Sequence, residues 1–592
     1  MVSVELRELI PADLPSGREL VHAGRQRARH IPLGRSRYTE IHGVTSDRQY
    51  KEECRETKTI TTYLNLGYKT WEATAAALNE ITARGRQVGF RLDRVSLIPD
   101  RRMGLPPDLR EKAMEETGIM MRSDADWQGA TKDTEVQPIW NDHNLGSPAA
   151  LVNTEAALRA GFGYIGNLAQ HNYGYPLWED DAEQIARTVE AIGMIAEKSG
   201  DGVVLEAYIE DGFAASFHDL ATSLGWCLFH RYIAEDLIGA PHSQSYGSTF
   251  SDPVLKQAFG LALDAINVHR VPPSFTHGDT NSFGPDDSFD RNAVVVMMDV
   301  FYTIARELRY PTGGAVHATP VSEAQRIPTV DELVQSLLII NEAERRARIS
   351  GHLIDWRPII ETRDRILEGG RLVFDKLLGG LTDLGVDITD PLQLLLATRR
   401  LGGSKIEELF GAGEPDASYP RGFRPIVGSD TLRRLMERFQ QEMTSVTKDD
   451  AAPDLRGLRI IAASGDIHEY GLFVVSQVLN RLGAKVINLG TSVTSQVIAR
   501  VAVETDADAV ALSTYNGMAL SLGRQLRQLL QERGLRTAVF MGGRLTEDLP
   551  DHPAADVRSQ LEADGVAACE SSADMVRRLK PTLAALNQVE SR

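Results

Sequence analysis

The chain has 592 residues, 42% of them hydrophobic and 25% charged, with a formal net charge of −18. That length exceeds what one hydrophobic core organises, so roughly two to four domains are expected. The acidic balance disfavours a nucleic-acid protein, whose phosphate contacts need a concentrated basic surface, and no apolar run approaches the ~20 residues of a membrane helix.

The opening MVSVELRELIPADLPSG lacks the basic-then-apolar order of a signal peptide, so a cytoplasmic location is the expectation. Residues 1–39 read as an N-terminal arm. Within it, GRELVHAGRQRARHIPLGRSRY sets Arg18, Arg25, Arg27, Arg29, Arg35 and Arg37 against Glu19 alone, which suits a solvated arm or subunit contact, with an anionic ligand as the alternative. Cys54, Cys227 and Cys569 form no CxxC pair and read as idle thiols.

Residues 40–375 alternate short apolar runs with helical patterns, as in GDGVVLEAYI, RNAVVVMMDVFYTIARELRY and TVDELVQSLLIINEAERRARI. This βα alternation predicts a TIM-type (β/α) barrel with its active site at the carboxyl ends of the strands. Polar loops are expected there: NDHNLGSP, NLAQHNYGYP, THGDTNSFGPDDSFDRN and GGAVHATPVSEAQRIP. They supply His143, His171, Asn172, His277, Asp279 and Asn281 as candidate substrate contacts; the alternative for each is an ordinary loop residue. Residues 376–444 read as a helical extension and 445–454, SVTKDDAAPD, as a linker. From 455 to 592 the strand–helix alternation restarts, predicting a doubly wound (flavodoxin-like, Rossmann-like) sheet.

At the first strand end of this last region stands GDIHEYG, residues 465–471. His468 is placed to bind a metal while Asp466 fixes its tautomer, and Gly471 leaves room beside the backbone. Alone, D-x-H-x-x-G more often marks a plain loop histidine. Three more strand ends fall in register with it: Ser513 in ADAVALSTYNG, Gly542 and Gly543 in TAVFMGGRL, and Gly490 in INLGTSV. The glycines clear a groove at the sheet edge and Ser513 offers a hydroxyl there.

Together these residues resemble the cobalamin-binding domain shared by adenosylcobalamin mutases and methionine synthase. The resemblance implies that His468 replaces the nucleotide base as the lower cobalt ligand, that Asp466 is its partner, that Ser513 contacts the buried base, and that Gly542 and Gly543 line the path of the tail. Tyr515 stands where the family's S-x-L has leucine, a larger side chain at the tail pocket.

Residues 40 to about 440 look like the barrel subunit of glutamate mutase (methylaspartate mutase), here fused to its cobalamin-binding partner. The motifs that carry this are SPAALVNTEAALRAGFGYIGNLAQHNYGYP, THGDTNSFGPDDSFDRN and TPVSEAQRIPTVDE. The resemblance implies adenosylcobalamin as cofactor, cobalt–carbon homolysis, a 1,2-rearrangement inside the barrel, and a homodimer built through the barrels. It implies Tyr173 as a substrate-side tyrosine, Glu323 as a neighbour of the adenosyl ribose and Arg48 as a clamp arginine. Asn144 replaces another clamp arginine, Asn167 the glutamate that holds the substrate amine, and Thr319 a lysine. Asparagine cannot reproduce the paired fork of arginine on a carboxylate, so the expected substrate is a small carboxylate-bearing molecule other than glutamate. The other readings are an aminomutase that also uses pyridoxal phosphate, a methyltransferase, and a non-enzymatic cobalamin sensor.

Overall fold

The computed structural model describes the chain apart from residues 1–5, 284–287, 324, 417–418, 420, 448–452, 467–468, 492, 516, 550–551 and 589–592. It divides into two units, Met1–Thr431 and Leu432–Arg592.

The first unit holds eight parallel strands: β1 (Thr61–Leu66), β2 (Arg94–Leu97), β3 (Gln137–Trp140), β4 (Tyr164–Ile165), β5 (Val204–Tyr208), β6 (His242–Ser245), β7 (Phe275–Thr276) and β8 (Ala315–His317). They pair in the order β6-β5-β4-β3-β2-β1-β8-β7. A parallel bridge between Tyr246 and Thr276, with the His277 N–H donating to the Tyr246 carbonyl at 2.7 Å, brings the two ends together. The expected barrel is therefore present.

Its interior follows the two-residue period of the strands. Tyr63, Ile139, Tyr164, Val204, Tyr208, Phe275 and Ala315 form one buried cluster. The amino-terminal end is plugged by charge: fully buried Arg94 pairs with Asp47, and Lys51 Nζ donates to the carbonyls of Pro273 and Ser274, each at 2.8 Å. Burial lowers the Lys51 pKa to about 7. Above this plug Glu206 lies between the hydroxyls of Ser243 and Ser245, and burial raises its carboxyl to about 7.

The basic segment near the N-terminus is not a free arm. The helix Gly17–Arg29 packs on the helix Asp181–Glu197, and a Cβ on Gly24 would lie 1.9 Å from the Glu190 carbonyl oxygen, so only glycine allows the approach. Its arginines have partners within the unit: Arg27 with Glu155 at 3.3 Å, Arg29 with Glu197 at 3.1 Å, and Arg25 on the Ile238 carbonyl at 2.7 Å. Glutamates distant in sequence thus balance a stretch that is basic when read alone.

The second unit contains a parallel sheet of β9 (Arg459–Ser464), β10 (Lys485–Asn488), β11 (Ala509–Thr514), β12 (Ala538–Gly543) and β13 (Val566–Ala568), in the order β10-β9-β11-β12-β13. Alternate residues face opposite layers. Ile460, Ala511 and Phe540 pack with Val474, Val478 and Met575, whereas Ile461, Val510 and Met541 pack with Ile498, Leu526 and Leu561. The expected doubly wound sheet is present, with its topological switch between β9 and β11. Ligands bind outside the strand ends at such a switch.

Candidate active site and cofactor groove

At the mouth of the barrel, the loops after β3, β4 and β5 converge on two carboxyl groups. Gln170 Nε2 donates to Asp142 Oδ1 at 2.9 Å and to Asp211 Oδ2 at 3.2 Å, and Asn167 Nδ2 donates to Asp211 Oδ2 at 2.8 Å. Asn167 is itself held because its Oδ1 accepts the N–H groups of Ala169 and Tyr208, each at 3.0 Å. Both aspartates lie deep among protein atoms yet keep a partly exposed face. Burial raises the Asp142 carboxyl; burial and the adjacent Asp142 hold Asp211 well above the ordinary carboxyl range. Two close carboxyls cannot both ionise cheaply in such a site.

Tyr173, almost fully buried, faces this pair: burial, then Asp211 and Asp142, push its hydroxyl far above the usual tyrosine range. Tyr63 feels both carboxyls from inside the barrel, and Tyr208 feels Asp211. His277 stacks on Tyr208 with ring centres 5.6 Å apart; its Nδ1 bonds the Gly278 carbonyl at 2.7 Å and its Nε2 lies 3.1 Å from Asn65 Nδ2. That arrangement makes Nδ1 the donor and Nε2 the acceptor of a neutral ring. His317 follows, 4.3 Å from His277, with both ring nitrogens buried and unpartnered. Glu323, in the loop after β8, has its carboxyl raised to about 7 by burial.

Other expected site residues lie elsewhere. Arg48 sits on the helix Asp47–Thr57, which enters β1 from the amino-terminal end of the barrel, and its Nε bonds Glu52 at 3.0 Å. A residue ahead of the first strand cannot share the mouth with loops that follow the strands, so Arg48 does not join Tyr173 there. His171 turns into the helical layer, stacked on Trp226 at 5.9 Å, and its Nδ1 bonds the Leu168 carbonyl at 3.1 Å. Asn144 is buried against the helix Ala150–Ala160, accepting from Thr154 Oγ1 at 3.4 Å. His143 bonds the Tyr175 hydroxyl at 3.1 Å, Asp279 accepts from the Ser282 N–H at 3.2 Å, Asn281 bonds the Thr249 carbonyl, and Asn172 Oδ1 is buried without a partner. Thr319 Oγ1 is likewise buried and unpartnered.

Sequence reasoning did not single out Asp142, Asp211, Gln170 or His317. Asp142 lies within the quoted NDHNLGSP loop and Asp211 lies three residues past the end of the strand GVVLEAY, so position was the one available signal.

In the second unit, Ser464, Ser513 and Gly542 stand side by side, in register across β9, β11 and β12. Asp466 is almost fully buried; its carboxylate accepts the Tyr515 N–H, the Thr514 hydroxyl at 3.2 Å and the Ser464 hydroxyl at 3.2 Å. The loop after β9 is thereby tied to the end of β11. His468 lies outside the described residues. Gly471 lies in the first turn of the helix Glu469–Arg481: a Cβ there would be 2.8 Å from Ser513 Oγ. Gly542 has open space before the Cys569 carbonyl at 3.7 Å, and Gly490, at φ +83°, has nothing within 4 Å of a Cβ. Gly543, at φ +102°, lies against the Thr514 carbonyl, where a Cβ would clash at 2.2 Å. Tyr515 is half exposed at the edge.

These small residues define a ligand-binding groove at the switch point of a doubly wound domain. A family model described as "B12 binding domain" matches residues 458–569, and the groove lies within that span. The chain is 27% identical over 181 residues to the trimethylamine corrinoid protein of Methanosarcina barkeri, covering 30% of this chain and 80% of that protein. It is 31% identical over 88 residues to the fused isobutyryl-CoA mutase of Geobacillus kaustophilus, covering 14% of this chain and 8% of that one. It is 24% identical over 275 residues to the methionine synthase of Mycobacterium tuberculosis, covering 42% of this chain and 21% of that one. The second unit therefore contains a cobalamin-binding domain.

The residues present fit the cofactor: a fixed carboxylate, Asp466, two positions before His468 in the sequence, the Ser513 hydroxyl in register with Ser464, and glycines where a side chain would fill the groove. Among the described residues, no three His, Cys, Asp or Glu side chains gather into a metal site, and no helix is long and apolar enough to cross a membrane.

Proposed function

We propose that the protein is an adenosylcobalamin-dependent radical mutase that rearranges the carbon skeleton of a small carboxylate-bearing substrate, as its resemblance to glutamate mutase implies. The observation that carries this reading is the joining, in one chain, of a B12-binding domain to a barrel whose mouth brings Tyr173 together with the Asp142 and Asp211 carboxyls. When bound, adenosylcobalamin supplies the carbon radical that takes a hydrogen atom from the substrate. The chain's own part is to bind and orient. Asp466 holds the β9 loop, Ser513 and the glycines would receive the nucleotide tail, and His468 would bind the cobalt. In the barrel, aromatic walls exclude water while Tyr173 positions the substrate, Asn167 orients Asp211, and Glu323, its carboxyl near 7, gives up or takes a proton in the working range. The protein works in the cytoplasm as a homodimer joined through its barrels.

A second reading, corrinoid-dependent methyl transfer, is favoured by the similarity to the trimethylamine corrinoid protein and to methionine synthase. Incubation with adenosylcobalamin and 13C-labelled short-chain acids, with product connectivity read by NMR, separates the two. A mutase moves a carbon–carbon bond within one molecule; a methyltransferase moves only a methyl group, from methylcobalamin.

A further inference from the structure

The seam of the barrel is not a full strand ladder. β6 and β7 stand at the two ends of the sheet order and meet through the bridge of Tyr246 and Thr276. Ahead of that bridge serine hydroxyls take the place of carbonyls: Ser243 Oγ accepts the Ser274 N–H at 2.9 Å and Ser245 Oγ that of Phe275 at 3.2 Å. The strands are thus held a side chain apart, and a cavity of about 40 Å³ lies between the seam and the helix Pro253–Ile266. It has room for about three waters, or for one molecule of roughly three or four non-hydrogen atoms.

Two guanidinium groups border this cavity, each with a buried N–H that has no hydrogen-bond partner among the described residues. Arg306, on the helix Phe289–Arg309, is 2% exposed. Its terminal nitrogens reach the Tyr246 hydroxyl, Thr276 Oγ1 at 3.2 Å and Glu307 at 2.6 Å, which leaves Nε as its unpartnered donor. Arg231, at the end of the helix Leu220–Arg231, stands 3.9 Å from Glu235 and 3.5 Å from Asp236, and its Nε is likewise buried and unpartnered. His242 opens β6 beside them with Nε2 buried and unpartnered, on a ring that burial keeps neutral by lowering its pKa to about 3.

Among the acceptors, Asp264 is exposed to solvent at the rim, whereas the Glu235 side chain is 4% exposed, its Oε2 has no hydrogen-bond partner, and burial raises its carboxyl. A guanidinium keeps its proton in a protein, so the two arginine donors call for acceptor atoms and negative charge. Glu235 calls for a donor. Planar oxygens on one side and a hydroxyl on the other meet both demands in a single small molecule.

We propose that this cavity is a binding site for a small planar oxyanion that carries a hydroxyl, hydrogencarbonate being the one it has room for, held by the Nε–H groups of Arg231 and Arg306 with its O–H on Glu235 Oε2. The site stands against the outer side of the β6–β7 seam, apart from the Asp142 and Asp211 loops, and is independent of the mutase reading. A ligand there joins residues from the helices that follow β5 and β7 across the seam, so it stabilises the closed barrel by mass action.

The test is thermal melting of the full chain in decarbonated buffer at pH 8, with sodium hydrogencarbonate or sodium nitrate added at constant ionic strength, beside 13C NMR of labelled hydrogencarbonate. The expected result is a saturable rise in melting temperature and a saturable broadening of the 13C signal. Nitrate, planar and of like size but without a hydroxyl, is expected to bind at least about tenfold more weakly. Arg231→Met keeps the packing stem, removes the Nε–H and is expected to weaken binding by at least about tenfold. Glu235→Ala is expected to abolish the preference over nitrate. Melting without added anion shows that each variant folds, and either variant decides alone. No saturable binding of hydrogencarbonate, equal affinity for nitrate, or unchanged affinity in Arg231→Met would overturn the proposal.

Discussion

Asp466 accepts the backbone N–H of Tyr515, so the loop that carries the candidate cobalt ligand is anchored to the end of a different strand. The Thr514 and Ser464 hydroxyls complete the set at 3.2 Å each. A carboxylate so placed holds the rim of the groove whether or not a ligand is present. Asp466→Ala is expected to destabilise the second unit by about 1–3 kcal/mol by leaving these donors unpaired. Loss of the group that orients the ligand histidine is expected to weaken cobalamin binding by about 10–100-fold. Thermal melting and absorbance titration check the two effects separately.

Gly471→Val makes the complementary case. Its Cβ would enter the space 2.8 Å from Ser513 Oγ. Because position 471 lies in the first turn of the helix Glu469–Arg481, the fold tolerates a side chain there, and the groove does not. The expected outcome is a near-unchanged melting temperature with at least a tenfold loss of cobalamin affinity, measured by absorbance titration.

Glu206 gives a pH-dependent prediction. Its folded pKa, about 7, lies above the ordinary value of 4.5, so the folded state holds a proton that the unfolded state releases between these values. Stability therefore falls as pH rises from about 4.5 to about 7 and stays lowered above. Lys51, lowered to about 7, acts in the next window: stability rises with pH between about 7 and its ordinary 10.5. Glu206→Gln is expected to stabilise the barrel by about 1–3 kcal/mol at pH 8 and to change little at pH 4. Thermal melts at the two pH values read the difference.

Glu323 should appear in the rate profile. With its carboxyl near 7, the group changes protonation in the working range. A limb near pH 7 in kcat/KM is expected for the wild type and should be absent in Glu323→Gln, which holds the neutral form at every pH. Tyr173→Phe, which keeps the ring and removes the hydroxyl facing the carboxyl pair, is expected to lower kcat/KM by about 10–100-fold with the fold intact.

The sequence shows a good deal of this arrangement and hides the rest for definite reasons. Ser513, Gly542 and Gly471 are legible because each ends or follows a strand whose apolar run is plain, and strand ends in a parallel sheet converge on one edge. The barrel is legible from runs such as GVVLEAY for the same reason. Asp142 and Asp211 are hidden because the whole of β4 and its helix separates them, and only barrel closure brings their loops together. Arg48 misleads because a local motif does not say which end of the barrel it occupies; its helix precedes β1, and that decides it. The arginines of residues 17–38 look unbalanced until Glu155, Glu190 and Glu197 are folded against them.

The central claim is tested most directly by electron paramagnetic resonance of the full chain reconstituted with adenosylcobalamin, before and after candidate short-chain acids are added, with His468→Ala beside it. The account predicts a paramagnetic signal that arises only with a substrate and is lost in the variant together with the histidine-ligated absorption spectrum. No signal with any substrate, alongside turnover of methylcobalamin, would contradict the mutase reading and leave a methyl-transferring corrinoid protein in its place.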